Sequence, residues 1–139
     1  ILELLKEQLK TEIRIDIYDG IKDLPHFNPD IEFESNPEVL RYRELLKSAD
    51  AILISTPEYA HGIPGSLKNA LDWVVGSGEL IDKKIGLFFT ASSGEEFVKV
   101  QLFEVIKTMS ADIKMDHCLK LSGVKITPEM LKIINNLIK

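Results

Sequence analysis

Cysteine is nearly absent from this sequence, and so are zinc-site spacings and long apolar runs. Each of these absences argues against a class of protein. The single Cys118 cannot form a disulfide within the chain. Together with His26 and His117 it shows no spacing typical of a zinc site, so we predict structural roles for all three and no metal. The chain also lacks a run of about 18 apolar residues and a secretory start. We therefore expect a cytoplasmic protein with no membrane segment.

Basic residues are too few for a typical nucleic-acid-binding surface. The chain has 17 Lys and Arg against 22 Asp and Glu, for a net charge of −5. Proteins that bind phosphate backbones usually carry a basic face, so nucleic acid is not an expected partner. The length of 139 residues, 45% of them hydrophobic, is sufficient for one domain with a real core.

What is present is an alternation of helix and strand patterns. Continuous apolar runs or period-two alternation predict strands at 12–18, 51–55, 85–89 and 112–121. Apolar stripes and capping residues predict helices at 1–10, from Asn36 to about Lys47, from near Ser66, around Val98–Met109, and from Thr127. Connections of this length imply parallel strands covered by helices on both faces.

The strand patterns also predict positions within the sheet. The runs "AILIS" (51–55) and "IGLFF" (85–89) are apolar on both faces and should be neighbouring central strands. The segments 12–18 and 112–121 alternate and should lie nearer the edges. The predicted fold is therefore an α/β, doubly wound, three-layer sandwich, in which ligands bind at the carboxyl ends of the strands.

A turn-rich segment follows the first central strand directly. Residues 57–73 read "PEYAHGIPGSLKNALDW", and in this form they strongly resemble the NADPH-dependent FMN reductases, a flavodoxin-like family that includes quinone, chromate and azo-dye reductases. "DLPHFNPD" at 23–30, "SADAILISTPEY" at 48–59 and "TASSGEE" at 90–96 are similar to further loops and a strand of that family. The resemblance implies the flavodoxin-like strand order 2-1-3-4-5.

The resemblance implies an FMN-dependent NAD(P)H oxidoreductase that passes electrons to a quinone, free flavin or other small acceptor. Pro57, Glu58, Tyr59 and Ala60 would line the flavin ring and ribityl chain, and Ser92, Ser93 and Gly94 would approach its pyrimidine end, with His61 at the cavity rim. The cofactor carries the chemistry, so no catalytic triad is needed. A shared site for donor and acceptor implies ping-pong kinetics. The family likeness also suggests a homodimer or higher homo-oligomer, with the helix after the motif and the next one as contacts.

The sequence departs from the family pattern in two places. Ala60 occupies a position where the family usually has Asn. The family's first strand and its Gly-, Ser- and Arg-rich phosphate-binding loop are also missing; "GSGEL" at 76–80 lacks the Lys-Ser/Thr of a phosphate loop and is interpreted as a helix exit. We therefore expect residues 1–139 to be one flavodoxin-like domain truncated at its N-terminus, whose absent strand would lie between 12–18 and 51–55. Such a segment should bind FMN poorly.

Less specific interpretations remain open for the same residues. Glu58 could be a solvated acid or a partner for a local helix dipole, and Tyr59 could simply pack. Trp73 and Leu71 fit helix packing or a dimer surface. The alternative function is a flavodoxin-like electron carrier, or a non-catalytic relative that binds a partner.

Overall fold

The computed structural model describes residues 1–31, 36–91 and 96–139 of the chain. Helices and strands alternate as the sequence predicts, with two short 3₁₀ helices at Gly20–Asp23 and Pro29–Ile31. The five α-helices are α1 (Leu2–Leu9), α2 (Pro37–Ser48), α3 (Gly65–Asp72), α4 (Phe97–Thr108) and α5 (Pro128–Leu137). The strands are β1 (Ala51–Pro57), β2 (Lys84–Thr90) and β3 (Asp112–Lys120).

The three strands form a parallel sheet in the order β1-β2-β3. β1 pairs with β2 without interruption, from Ala51 opposite Lys84 to Pro57 opposite Thr90, which confirms that the two apolar runs are parallel neighbours. Within the described residues only β2 has a strand on each side, and β1 lies at the edge of the sheet. The central position predicted for β1 requires a further strand between 12–18 and 51–55, which the described residues do not include. The apolar residues of β1 are accordingly half-buried, whereas those of β2 are fully buried from Ile85 to Phe89.

The edge strand predicted at 12–18 is not formed. Its alternation is real, because Ile13, Ile15 and Ile17 are partly buried whereas Arg14 and Asp16 between them are exposed. However, no described strand lies beside this segment to share backbone hydrogen bonds. A sequence pattern can select which side chains face the core, but a strand also requires a neighbour for its N–H and C=O groups.

Helices cover both faces of the sheet, which confirms the three-layer sandwich. Buried side chains of α2, α3 and α4 pack with Ile85, Leu87 and Phe89 on one face. On the other face α1 and α5 pack against Phe88. Gly86 allows α5 to approach closely, because a Cβ atom there would lie 2.8 Å from a methyl carbon of Leu137.

The loop that follows residues 12–18 is fixed by Asn69 of α3 and by Trp73, the residue directly after that helix. The amide of Asn69 accepts a hydrogen bond from Phe27 N–H (2.8 Å) and donates one to Pro25 O (2.9 Å). The indole of Trp73, one turn further on, donates to the same Pro25 oxygen (2.8 Å), and Phe27 packs edge-on against its ring. Trp73 is 1% exposed, so it is a packing residue and not a surface contact.

β1 leads into a tight hairpin, here called the β1 hairpin, at residues 58–62. Tyr59 and Gly62 exchange two backbone hydrogen bonds of 3.2 and 3.0 Å. The two residues between them are left-handed, Ala60 with φ 48° and His61 with φ 57°. Positive φ at both central positions defines a type I′ turn, which favours Asn and Gly and is strained for Ala.

Replacing Asn69 by Ala should destabilise the protein, because Phe27 N–H would lose its acceptor in a partly buried position. We expect a loss of about 1–3 kcal/mol in the free energy of unfolding, measured by urea denaturation. Asn135→Ala, at an exposed site on α5, is the matched control and should change stability by less than about 0.5 kcal/mol. Equal effects of the two substitutions would contradict the anchoring role of Asn69.

Replacing Ala60 by Gly should stabilise the protein by about 1 kcal/mol, because glycine adopts positive φ without the penalty of a Cβ atom. The control is Ala49→Gly, where φ is −75°. That substitution should instead destabilise by about 0.5–1 kcal/mol, since it only adds freedom to the unfolded chain. The same sign for both variants in thermal or urea unfolding would refute the assigned turn strain.

Candidate functional site

The carboxyl ends of β1 and β2 bring the predicted site residues to one edge of the sheet. The ladder continues one step beyond Pro57, because Glu58 N–H donates to Thr90 O at 2.7 Å. The β1 hairpin therefore begins at the level where β2 ends. Ser92, Ser93 and Gly94, predicted to approach the flavin's pyrimidine end, lie outside the described residues.

Glu58 contacts the first turn of α4. One of its carboxylate oxygens accepts a hydrogen bond from Val98 N–H at 3.0 Å. The first N–H groups of a helix have no partner within the helix, and the helix dipole favours a negative charge there. Of the alternatives for Glu58, the structure thus shows the local helix-dipole partner, and the residue joins the end of β1 to α4.

The tip of the hairpin presents an aromatic ring and two unpaired amides to solvent. Tyr59 is 65% exposed, so simple packing does not account for its position. Ala60 and His61 are also exposed, and neither backbone N–H has an acceptor among the residues that the structure describes. A planar ligand with acceptor atoms along one edge could therefore stack on Tyr59 and bond to these amides.

His61 faces α4. Its ring stacks on that of Phe97, with centroids 4.5 Å apart and an angle of 23° between the planes. Its carbonyl oxygen accepts a hydrogen bond of 3.1 Å from Gln101 Nε2. Neither Phe97 nor Gln101 was identified from the sequence, because their role depends on the approach of α4 to the hairpin.

An open groove of about 770 Å³ lies beside the hairpin. Residues 59–63 form one wall, and Lys68 of α3 and four residues of α4, among them Val100, form the rest. This volume falls within the range of ligand sites. Of the predicted site residues, Pro57 and Glu58 do not line it.

The sequence predicted structural roles for Cys118, His26 and His117, and the first of these is buried. Burial raises the pKa of the Cys118 thiol to about 11, so it is protonated at neutral pH and is a poor nucleophile. His117 is also buried. Across residues 1–31, 36–91 and 96–139, no three His, Cys, Asp or Glu side chains are grouped so that they could hold a metal ion. Within the same ranges, none of the helices has the length and apolar character needed to cross a membrane.

The segment "GSGEL" forms turns after α3, as interpreted from the sequence. Since α3 follows β1 and returns to the start of β2, these turns lie at the amino edge of the sheet. Lys47, near the end of α2, and Lys83, which immediately precedes β2, line a small cavity with Ser77 and Glu79 there. The segment is therefore separated from the β1 hairpin by the length of the strands.

Known proteins resemble this chain in sequence and in structure. It is 31% identical over 94 residues to an NADH:(hydroxy)cinnamate reductase subunit, CrdA, of Vibrio ruber, covering 68% of this chain and 46% of that protein. It is 35% identical over 81 residues to an NADPH azoreductase of a Bacillus species, and the match covers 58% of this chain and 45% of that protein. It is 51% identical over 53 residues to a quinone reductase of Pseudomonas putida, and the match covers 37% of this chain and 28% of that protein. The chain thus spans less than half the length of these relatives.

A solved structure shares the fold. The flavoenzyme NAD(P)H:(acceptor) oxidoreductase FerB of Paracoccus denitrificans superimposes with a TM-score of 0.65 at 26% identity, over 88% of this chain and 68% of that one. A model of the family described as NADPH-dependent FMN reductase matches residues 1–116, which include the β1 hairpin and all of α4. On this evidence the chain belongs to the NADPH-dependent FMN reductase family.

Proposed function

We propose that this chain contributes the flavin-ring site of an FMN-dependent NAD(P)H oxidoreductase that passes electrons to a quinone, free flavin or other small acceptor. The observation that carries the proposal is the exposed tip of the β1 hairpin, at the carboxyl end of β1. In a doubly wound sheet this edge is where ligands bind. The names of the relatives, a quinone reductase and an azoreductase among them, support a small-molecule acceptor.

The hairpin fits the flavin ring. The isoalloxazine is a flat body with a polar pyrimidine edge, and the tip offers an exposed aromatic ring at Tyr59 with unpaired N–H groups at Ala60 and His61. Pro57 limits the backbone where the hairpin begins. When bound, FMN would supply the capacity to accept a hydride from NAD(P)H and release electrons to the acceptor. The protein's part is to bind and orient the ring and to leave one face open for each partner in turn.

The described residues offer less support for a site that binds the phosphate group of FMN. The segment "GSGEL" lies at the opposite edge of the sheet, and Lys68 in the groove is paired with Asp72 at 2.5 Å. Among the described residues beside the hairpin, α3 begins at Gly65 after Pro64, without a side-chain cap. We therefore propose that these 139 residues bind the flavin through its ring and hold FMN weakly.

Titration with two flavins tests this proposal. If binding depends on the ring, the fluorescence of FMN and that of riboflavin should be quenched similarly as protein is added. The two dissociation constants should then lie within about threefold of one another. Tyr59→Ala should weaken both by about 3- to 10-fold, the range expected for loss of an aromatic stack. Ile138→Ala, an exposed apolar residue at the far end of α5, is the control and should have no effect.

The outcomes separate the parts of the proposal. No binding of either flavin, or equal affinity of the wild-type protein and Tyr59→Ala, would contradict a ring site at the hairpin. FMN binding far tighter than riboflavin would show a phosphate site that the described residues do not reveal. NADPH oxidation that depends on added quinone distinguishes the reductase from an electron carrier.

We also propose that the protein is a cytoplasmic homodimer that pairs through the groove side of α3 and α4. The cytoplasmic location is proposed because the reaction draws on the intracellular NAD(P)H pool. The family resemblance suggested the dimer, and Val100, 58% exposed on α4 beside Tyr59, supports that face.

Light scattering should then give a mass near twice 15.7 kDa. Val100→Asp should shift it toward the monomer, whereas Ile138→Asp should not; a monomeric wild-type protein at high concentration would contradict this part.

A further inference from the structure

The β1 hairpin is attached to α4 by three separate contacts. Glu58 accepts from Val98 N–H, Gln101 Nε2 donates to the carbonyl of His61, and the His61 ring stacks on Phe97. The first two contacts each use a backbone atom on one side. The His61–Phe97 stack is the one of these three that joins two side chains, so the identity of residue 61 determines it.

The turn requires such support. Ala60 and His61 both have positive φ, a conformation that costs free energy for any residue other than glycine. Such a conformation persists only where surrounding contacts hold it. His61 is nevertheless exposed to solvent, so burial in the core does not fix it. Besides the two Tyr59–Gly62 hydrogen bonds across the turn, the contacts to α4 are therefore what supports the tip.

We propose that His61 is a positioning residue: its ring, stacked on Phe97, holds the tip so that Tyr59 and the unpaired amides keep a fixed geometry toward the ligand. This inference rests on the proposed function, since the ligand is the flavin ring. It adds a positioning role to the rim position expected from the sequence, where His61 lines the groove. In this role the ring of His61 acts through the backbone of the turn that carries it.

Three substitutions separate the stack from the backbone preference of residue 61. His61→Ala removes the ring, and His61→Asn removes the ring but retains a residue that tolerates positive φ. His61→Phe retains a flat ring on Phe97. If the stack positions the tip, Ala and Asn should weaken riboflavin binding by about 3- to 10-fold, and Phe should restore most of the affinity.

A readout that needs no flavin tests the same contact. The Gly62 amide is bonded to Tyr59 O within the hairpin, and its hydrogen exchange reports how often the turn opens. His61→Ala and His61→Asn should speed this exchange by about 3- to 10-fold, and His61→Phe should not. Phe97→Leu should have the effect of His61→Ala, and the double variant His61→Ala/Phe97→Leu should lose little more than either single variant.

The results distinguish this inference from the function it serves. Unchanged Gly62 exchange in His61→Ala, additive effects in the double variant, or wild-type riboflavin affinity in His61→Asn would each overturn the positioning role. Failure of the wild-type protein to bind either flavin would overturn the role in flavin binding together with the proposed function. In that case the exchange measurements would still decide whether the stack holds the turn.

Discussion

The parallel register of β1 and β2 is the constraint on which the site depends. It brings Pro57 opposite Thr90, and the hydrogen bond from Glu58 N–H to Thr90 O extends the pairing into the hairpin. Because β2 also leads to α4, this register sets the distance between the hairpin and the first turn of that helix. The Glu58 carboxylate can then reach Val98 N–H. A shift of one residue would turn each side chain of β1 to the other face and separate these groups.

The family motif combines two functions that a sequence comparison does not separate. Its first part forms the exposed hairpin, whereas its second part, in α3, is largely structural. Asn69 and Trp73 are four residues apart, so both point toward the loop at 25–27 and share the Pro25 oxygen. The segments "DLPHFNPD" and "LKNALDW" are therefore in direct contact in the folded chain. One segment supplies the loop, and the other supplies the donors and the acceptor that fix it.

Local signals were sufficient for most of the fold but not for strand pairing. Asn36 and Thr127 cap α2 and α5 as their sequence contexts predict, and the continuous apolar runs correctly indicated parallel neighbours. The segment 12–18 kept its alternation but formed no strand, because its backbone lacks a neighbour among the described residues. For the site, the sequence indicated which residues could take part but not which residues they contact. The contacts of Glu58 and His61 with α4 join residues about 40 positions apart, and neither pattern nor propensity indicates them.

The β1 hairpin shows why its geometry could not be derived from its own residues. Ala-His is a poor sequence for a type I′ turn, in which Asn-Gly is preferred, and two left-handed residues cost roughly 1–2 kcal/mol each. In isolation this segment would favour another conformation. In the folded protein, β2 fixes the start of the hairpin, whereas α4 holds its tip through Phe97 and Gln101. The unpaired amides at the tip are therefore oriented by tertiary contacts, so a change at Phe97, which does not line the groove, should alter the geometry of the candidate ligand site.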